Sequence, residues 1–456
     1  MKTLLIKTTG LVILMGSGLP IALAAPPPNA VSGRWDAVLL DNGPPVAFRL
    51  DISATDASLK GTFYDGFRPY ETTTNASFKD GKLVLKAEHY LTTINATLQD
   101  GALVGDTQLA GPGYSIKYGF RAVRHVDASA ATAKNVPSIE GAWEIPLDSP
   151  SSKGEKAFRL VVEQKGAEVA ASILRVDGDT GAYSGTYKDG KWVLSHFDGQ
   201  RPGVIEISAR NDGTLYVVTH NEAIIHALRG NDSKGYSDER YAEAAPKYVA
   251  YRPDVARSKG LPEPANFLTH TTARDPREKF AFNFPDVDGK QVSSEDPRFK
   301  GKVILAIVTG TWCPNCHDEA QYLVELDAKY RDKGLSIVAL DFEEPEQQGS
   351  LARVHAFVKQ YGVKYPYLIA GAPAEMWEKV PQLVNLNTWP ATVFVGRDGT
   401  VRAVHSGFAS PASLQFNAEL KKDFTKRIEQ LLAEKAPTTT LTDTSQVNGE
   451  SAARKL

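Results

Sequence analysis

The sequence predicts a multidomain protein: two tandem all-β antiparallel repeats, each a barrel or sandwich, followed by one α/β domain. Three observations predict it. Short motifs in the first half recur at an offset of about 110 residues, too long for a solenoid unit and typical of a duplicated domain. Asp-Gly pairs punctuate short alternating runs in that half. From Phe280 onward the hydrophobic period changes, and continuous apolar runs alternate with helical stripes.

The elements follow in chain order. Lys2 and Lys7 precede an apolar run from Leu11 to Ala24, and Ala22-Leu23-Ala24 is a small-residue cleavage site. Residues 1–24 are expected to be a signal peptide cut before Ala25, because the run is shorter than the ~20 residues a spanning helix needs. The mature protein is then exported, most simply to a periplasm, with no membrane span. Its formal net charge of −2 gives no electrostatic footprint for nucleic acid or an anionic membrane.

The repeats occupy residues 25–126 and 137–230. Gly33-Arg34-Trp35 returns as Gly141-Ala142-Trp143, and Ala47-Phe48-Arg49-Leu50 as Ala157-Phe158-Arg159-Leu160. Lys79-Asp80-Gly81-Lys82 returns as Lys188-Asp189-Gly190-Lys191. Runs such as Val46 to Ile52, Leu83 to Ala87 and Thr93 to Leu98 read as strands of an up-and-down meander. This half has no cysteine, no clustered histidines and no nucleophile motif. It is expected to be a spacer or docking module rather than a ligand-holding barrel. Residues 231–279, rich in charge and carrying Gly260-Leu261-Pro262-Glu263-Pro264, read as a linker. Residues 436–456 have few apolar side chains and read as a disordered tail.

In residues 280–435, Val303 to Val308 is the apolar run of a central parallel strand. Tyr322, Leu323, Leu326 and Tyr330 form a helical stripe closed by Gly334. Ser336 to Phe342 is a strand, and Leu351 to Tyr361 a second helical stripe. Tyr365 to Ala370 is a third strand. Ala391 to Val395 and Val401 to Val404 make a hairpin around Asp398-Gly399, and Leu420 to Leu432 closes with a helix.

The chain's two cysteines, Cys313 and Cys316, lie between the first strand and the first helix, followed by His317. Such a string suits a redox dithiol, a c-type haem attachment, or half of a zinc site. Haem wants an axial partner, and methionine is scarce; zinc wants a second ligand pair, which is missing. No metal and no dissociable cofactor is expected, and His317 is expected on the surface of the helix. A thiolate at a helix N-terminus is stabilised by unpaired N–H groups, so Cys313 reads as the nucleophile and Cys316 as the resolving thiol. Pro314 suits the first helical turn.

Trp312-Cys313-Pro314-Asn315-Cys316 resembles the active site of the thioredoxin superfamily, and "GTWCPNCHDEA" is similar to TlpA/ResA-like exported thiol-disulfide oxidoreductases of the redoxin group. The resemblance covers about a third of the chain and implies a thioredoxin-like fold for residues 280–435. Thr388-Trp389-Pro390-Ala391-Thr392 matches the family's cis-proline loop. Trp312, Pro314, Trp389 and Pro390 are then the expected substrate contacts. In ResA-like members a glutamate just past the second strand handles the cysteines' protons; Glu343 matches it, with Glu344 as its neighbour. One feature departs: thioredoxin's buried acid on the strand before the motif has no counterpart in Ala306 to Val308. The peroxiredoxin motif is also missing. The resemblance implies an exported protein disulfide oxidoreductase, in the reductase direction, with protein thiol or disulfide substrates and a membrane electron donor. The rival reading is a binding protein whose β-rich half dominates.

Overall fold

The structure is a computed structural model and describes residues 28–55, 58–111, 114–126, 136–221 and 238–435. The expected signal peptide, the tail and residues 231–237 of the expected linker lie outside the described residues. Among the described residues no helix is long and apolar enough to cross a membrane.

Each of the first two modules is an antiparallel meander. In the first, Gly33–Leu40 pairs with Val46–Thr55 on one side and with the last strand, Tyr114–Arg124, on the other. The nine-stranded sheet therefore curls until first meets last, and its ends lie at Arg68–Thr72 and Asn75–Lys79. The Asp-Gly pairs do what their chemistry suits: Asp80 and Gly81 take φ of 51° and 75°, and Asp189 and Gly190 take 52° and 85°. Positive φ at both positions matches the right-handed twist of the strands they join.

The modules share one local device. Trp35 Nε1 donates to Val31 O, and Trp143 Nε1 to Ile139 O, both at 2.8 Å. Arg124 lies over the Trp35 ring at 4.0 Å and Arg252 over the Trp143 ring at 3.8 Å. Their cores meet too: Phe197 and Val204 of the second module pack into the first module's core, and Ser195 Oγ donates to Ala47 O at 2.7 Å.

Part of the expected linker belongs to the second module. Lys247–Ala250 pairs with Leu215–Asn221, and Tyr251 bridges back to Glu144, bringing the last strand to the first. Ala250 is fully buried. The strand is too short to show a period, and its partner lies across the helix Asp238–Ala244. Only its pairing, which is non-local, identifies it.

The C-terminal domain is a five-stranded sheet in a thioredoxin-like arrangement. Its elements are β1 (Val303–Thr309), α1 (Pro314–Tyr330), β2 (Leu335–Phe342), α2 (Ala352–Tyr361), β3 (Tyr367–Gly371), β4 (Ala391–Val395), β5 (Val401–Ser406) and α3 (Gln415–Ala433). The order across the sheet is β3-β2-β1-β4-β5, with β1, β2 and β3 parallel and β4 and β5 antiparallel. Every residue of β1 is buried, because helices cover one face and the segments 280–299 and 376–386 cover the other. Val303, Leu305 and Ile307 pack with α1, α2 and α3, while Ile304, Ala306 and Val308 face the opposite core. The α1 stripe read from the sequence is the buried one: Tyr322, Leu323, Leu326 and Tyr330. The chain thus delivers Cys313 to the carboxyl end of the central strand.

Candidate active site

Cys313 is the N-cap of α1, with extended backbone (φ −94°, ψ 115°), and Pro314 is the first helical residue. Cys313 O accepts from Cys316 N at 3.0 Å and from His317 N at 3.3 Å, which puts the second cysteine on the first turn. Both cysteines are free thiols and buried, Cys313 at 4% exposure. Cys313 Sγ donates to Trp389 O at 3.4 Å, and the Trp389–Pro390 peptide is cis. Pro390 O accepts from Gly407 N at 2.7 Å, tying the loop to the end of β5. The Trp312 and Trp389 rings meet edge-on at 5.2 Å, and Trp312 Nε1 donates to Phe342 O at 2.9 Å. The structure therefore brings Trp312, Cys313, Pro314 and Trp389 to one cleft of 420 Å³.

The two sulfurs differ in surroundings. Burial, then the hydrogen bond and charge of Cys313, push the Cys316 thiol well above its ordinary value. It stays protonated until something takes its proton. Glu319 is one turn further along α1, on the Cys316 face by its three-residue spacing. It is buried, and Thr392 Oγ1 donates to its Oε1 at 2.5 Å. Burial pushes the Glu319 carboxyl up to about 8, with the Thr392 bond pulling the other way. A carboxyl that exchanges its proton near neutrality, one helical turn from a thiol that must lose one, is suited to general acid–base work. The sequence reading passed over Glu319, although its spacing from Cys316 was the available signal.

Glu343 lies elsewhere in the network. It is fully buried, not a solvated loop carboxylate. Its carboxylate pairs with Arg353 and accepts from Thr311 Oγ1, and its Oε1 accepts from Glu344 N at 2.8 Å. Arg353 also pairs with Glu344 at 2.7 Å, and its Nε donates to Thr311 Oγ1 at 3.0 Å. This cluster fixes Thr311, two residues before Cys313. Asp341, opposite Thr309 in the β1–β2 ladder, is also buried, and burial and the Glu343 charge raise it well above the usual carboxylate range.

His317 corrects the expectation of a surface side chain. It is completely buried. Its Nε2 donates to Thr311 O at 2.7 Å, and its Nδ1 lies 2.9 Å from the Tyr361 hydroxyl, which donates to Glu71 at 2.8 Å. Tyr90 and Phe357 pack on the ring at 4.3 and 4.7 Å. Burial, then His89, push its pKa well below the ordinary value, so the imidazole is neutral. The first β-rich module is what buries it, and no local pattern announces that contact.

The next residue extends the interface. Tyr70 donates to Asp318 Oδ1, and Arg201 Nη1 stands 3.5 Å from Asp318 Oδ2. Burial pushes Asp318 up to about 7, with Arg201 opposing. Arg201 also pairs with Asp198 at 2.7 Å. Asn315 Nδ2 donates to Asp177 O at 2.9 Å. Both β-rich modules thus contact the first turn of the cysteine helix.

A family model described as Redoxin matches residues 273–419. These residues are thus similar to the redoxin family and carry the cysteine pair at the start of α1, after β1. The thiol-disulfide oxidoreductase ResA of Bacillus thuringiensis (strain Al Hakam) is 33% identical over 120 residues, covering 26% of this chain and 62% of that protein. ResA of Halalkalibacterium halodurans is 25% identical over 156 residues, covering 34% of this chain and 82% of that one. A thiol:disulfide interchange protein of the thioredoxin family from Chlorobium tepidum TLS, solved as a crystal structure, is 23% identical; the match covers 35% of this chain and 99% of that one, with a TM-score of 0.27. The redoxin domain therefore spans 62% of the length of the first of these relatives. The β-rich modules lie outside the residues matched to the redoxin family.

Proposed function

We propose that the chain is an exported thiol-disulfide oxidoreductase working as a reductase on protein disulfides. The observation that carries this reading is the setting of Cys313: helix N-cap, cis-proline loop 3.4 Å away, and a buried partner thiol on the next turn. The Cys313 thiolate attacks a substrate sulfur, and one substrate thiolate leaves. Cys316 gives its proton to Glu319 and attacks Cys313 Sγ, releasing the second substrate thiolate. The two electrons lost by the dithiol reduce the substrate disulfide, and a donor outside the chain restores the dithiol. Trp312, Pro314, Trp389 and Pro390 shape the groove. Glu343 acts by positioning, through Thr311 and Arg353, and Glu319 handles the proton. We read the β-rich modules as copies of one domain, a reading supported by their common Trp–Arg device.

Replacing Cys316 with Ser is expected to trap mixed disulfides through Cys313, visible on non-reducing gels; a variant that traps no thiol partner would sink the assignment of roles. The direction is read from the reduction potential of the pair. A value near thioredoxin's, about −270 mV, fits a reductase, and one near about −120 mV, as in strong oxidants, rejects it.

A further inference from the structure

The residue between Pro314 and Cys316 is held from outside its own domain. Asn315 is buried, and the second β-rich module takes both ends of its amide. Its Nδ2 donates to Asp177 O at 2.9 Å, and its Oδ1 accepts from Arg201 Nη1 at 3.5 Å. Asp177 opens a three-residue segment that touches the C-terminal domain at every position. Gly178 forms a parallel bridge to Phe408. Asp179, also buried, accepts from Ser410 N and Ser413 Oγ at 2.7 Å and from Ser410 Oγ at 2.9 Å.

The approach is backbone to backbone and takes a glycine on each side. A Cβ at Gly178, where φ is 125°, would lie 2.6 Å from Asn315 Cγ and 2.7 Å from Phe408 O. A Cβ at Gly407, where φ is 68°, would lie 2.4 Å from Val176 O. Only a residue without a side chain allows either contact. Gly407 N in turn donates to Pro390 O at 2.7 Å, and Trp389 O accepts from Cys313 Sγ at 3.4 Å. These contacts close a ring. It runs from Cys313 to the cis-proline loop, to Gly407 and Phe408, to Gly178 and Asp177, and through Asn315 and Pro314 back to Cys313. One arc of the ring belongs to the second module.

Asn315 also stands where the sulfur needs a donor. Pro314 has no N–H, and Cys316 N and His317 N are given to Cys313 O. That leaves the Asn315 N–H, at the second helical position, for a Cys313 thiolate at the N-cap. We propose that Asp177 and Gly178 are positioning residues for the cysteine pair: by anchoring Asn315, the second β-rich module keeps its N–H available to the Cys313 thiolate and so sets how readily the dithiol gives up its electrons. This rests on the oxidoreductase reading and adds to its site an arc from a distant part of the chain.

The test uses the reduced full-length protein and Gly178→Ala, whose methyl group displaces the Asn315 amide. Two quantities are read: the pH profile of Cys313 alkylation by iodoacetamide, located by mass spectrometry, and the reduction potential of the pair at pH 9 in defined thiol buffers. A thiolate that loses one charge-assisted hydrogen bond is destabilised by about tenfold. The alkylation profile should therefore move to higher pH. The potential should become more negative by the same tenfold, about 30 mV, because the reduced form alone has lost a contact. In an Asn315→Ala background the methyl group has no amide to displace, and Gly178→Ala should add nothing to either quantity. No shift in the natural background, whatever the thermal midpoint does, or an equal shift in both backgrounds overturns the proposal. If Gly178→Ala does not fold, Asp179→Asn, which weakens the hold on Ser410 and Ser413, replaces it under the same criteria. A protein that cycles between dithiol and disulfide with a potential indifferent to these substitutions loses only this inference. One whose cysteines form no disulfide in any of the buffers loses the oxidoreductase reading and this one together.

Discussion

The two β-rich modules use the same Trp–Arg device but meet the redoxin domain in opposite roles. The first presents aromatic rings, Tyr70, His89 and Tyr90, to the outer side of the cysteine helix, where His317 and Asp318 are buried. The second presents charge, Asp198 with Arg201 and Lys153 with Asp177, near the cleft itself. One module packs on the outer side of the helix and the other lines the cleft. The difference teaches that two all-β modules can meet one helix through different sets of side chains.

The largest expected effect that sharpens this contrast is Arg201→Ala. It takes the guanidinium away from buried Asp198, with His196 left 3.5 Å away, and should cost about 3–5 kcal/mol in urea unfolding. On the outer side of the helix, Tyr70→Phe removes the hydroxyl from Asp318 and from Gln321, whose Nε2 donates to it at 3.1 Å; the expected cost is about 1–3 kcal/mol. Equal losses in the two variants would break the distinction between an ion-paired contact and an aromatic one.

A pH experiment separates adjacent residues of α1. Glu319 titrates at about 8 against an ordinary 4.5, and Asp318 at about 7 against 3.8. Both folded values are raised, so the folded protein holds protons that the unfolded chain has released. Their contribution to stability is complete below the unfolded values and is lost as pH rises through about 7 and then about 8. Unfolding midpoints measured from pH 5 to 9 should therefore fall less steeply in Glu319→Gln and in Asp318→Asn than in the natural protein. Glu319→Gln should also slow the Cys316 attack on a trapped mixed disulfide, whereas Asp318→Asn, on the outer side of the helix, should not. An equal slowing in both would remove Glu319 from the proton path.

Much of this was legible in the sequence because it is local. The apolar run of β1, the α1 stripe and the Asp-Gly turns follow from period and backbone preference, and each appears where its residues placed it. The cysteine pair and Trp389-Pro390 are far apart in the chain, and only a family pattern linked them before the fold did. What stayed hidden depends on contacts between distant segments. A histidine on a first helical turn looks exposed until a separate module covers it. Lys247–Ala250 looks like linker until Leu215–Asn221 is beside it. Glu343 looks like a loop carboxylate until Arg353 arrives from α2. Glu319 is the exception: three residues after Cys316 on a helix, it was legible from spacing alone.

The smallest expected effect tests what the modules share. Arg124 lies over Trp35 and donates to Ser32 O and Ala30 O, while Arg252 lies over Trp143 and donates to Glu140 O at 2.8 Å. Replacing either arginine with Met keeps much of the apolar stem and removes the cation over the ring together with its carbonyl bonds. Each substitution should cost about 1 kcal/mol, read as a fall of a few degrees in thermal midpoint. If the modules are copies with the same lock, the two losses should agree within a few tenths of a kcal/mol and add in the double variant, because distant independent sites are additive. A loss confined to Arg252→Met would mean that the lock matters only in the module that walls the cleft. The likeness of the two tryptophan corners would then be geometric, without equal energetic weight.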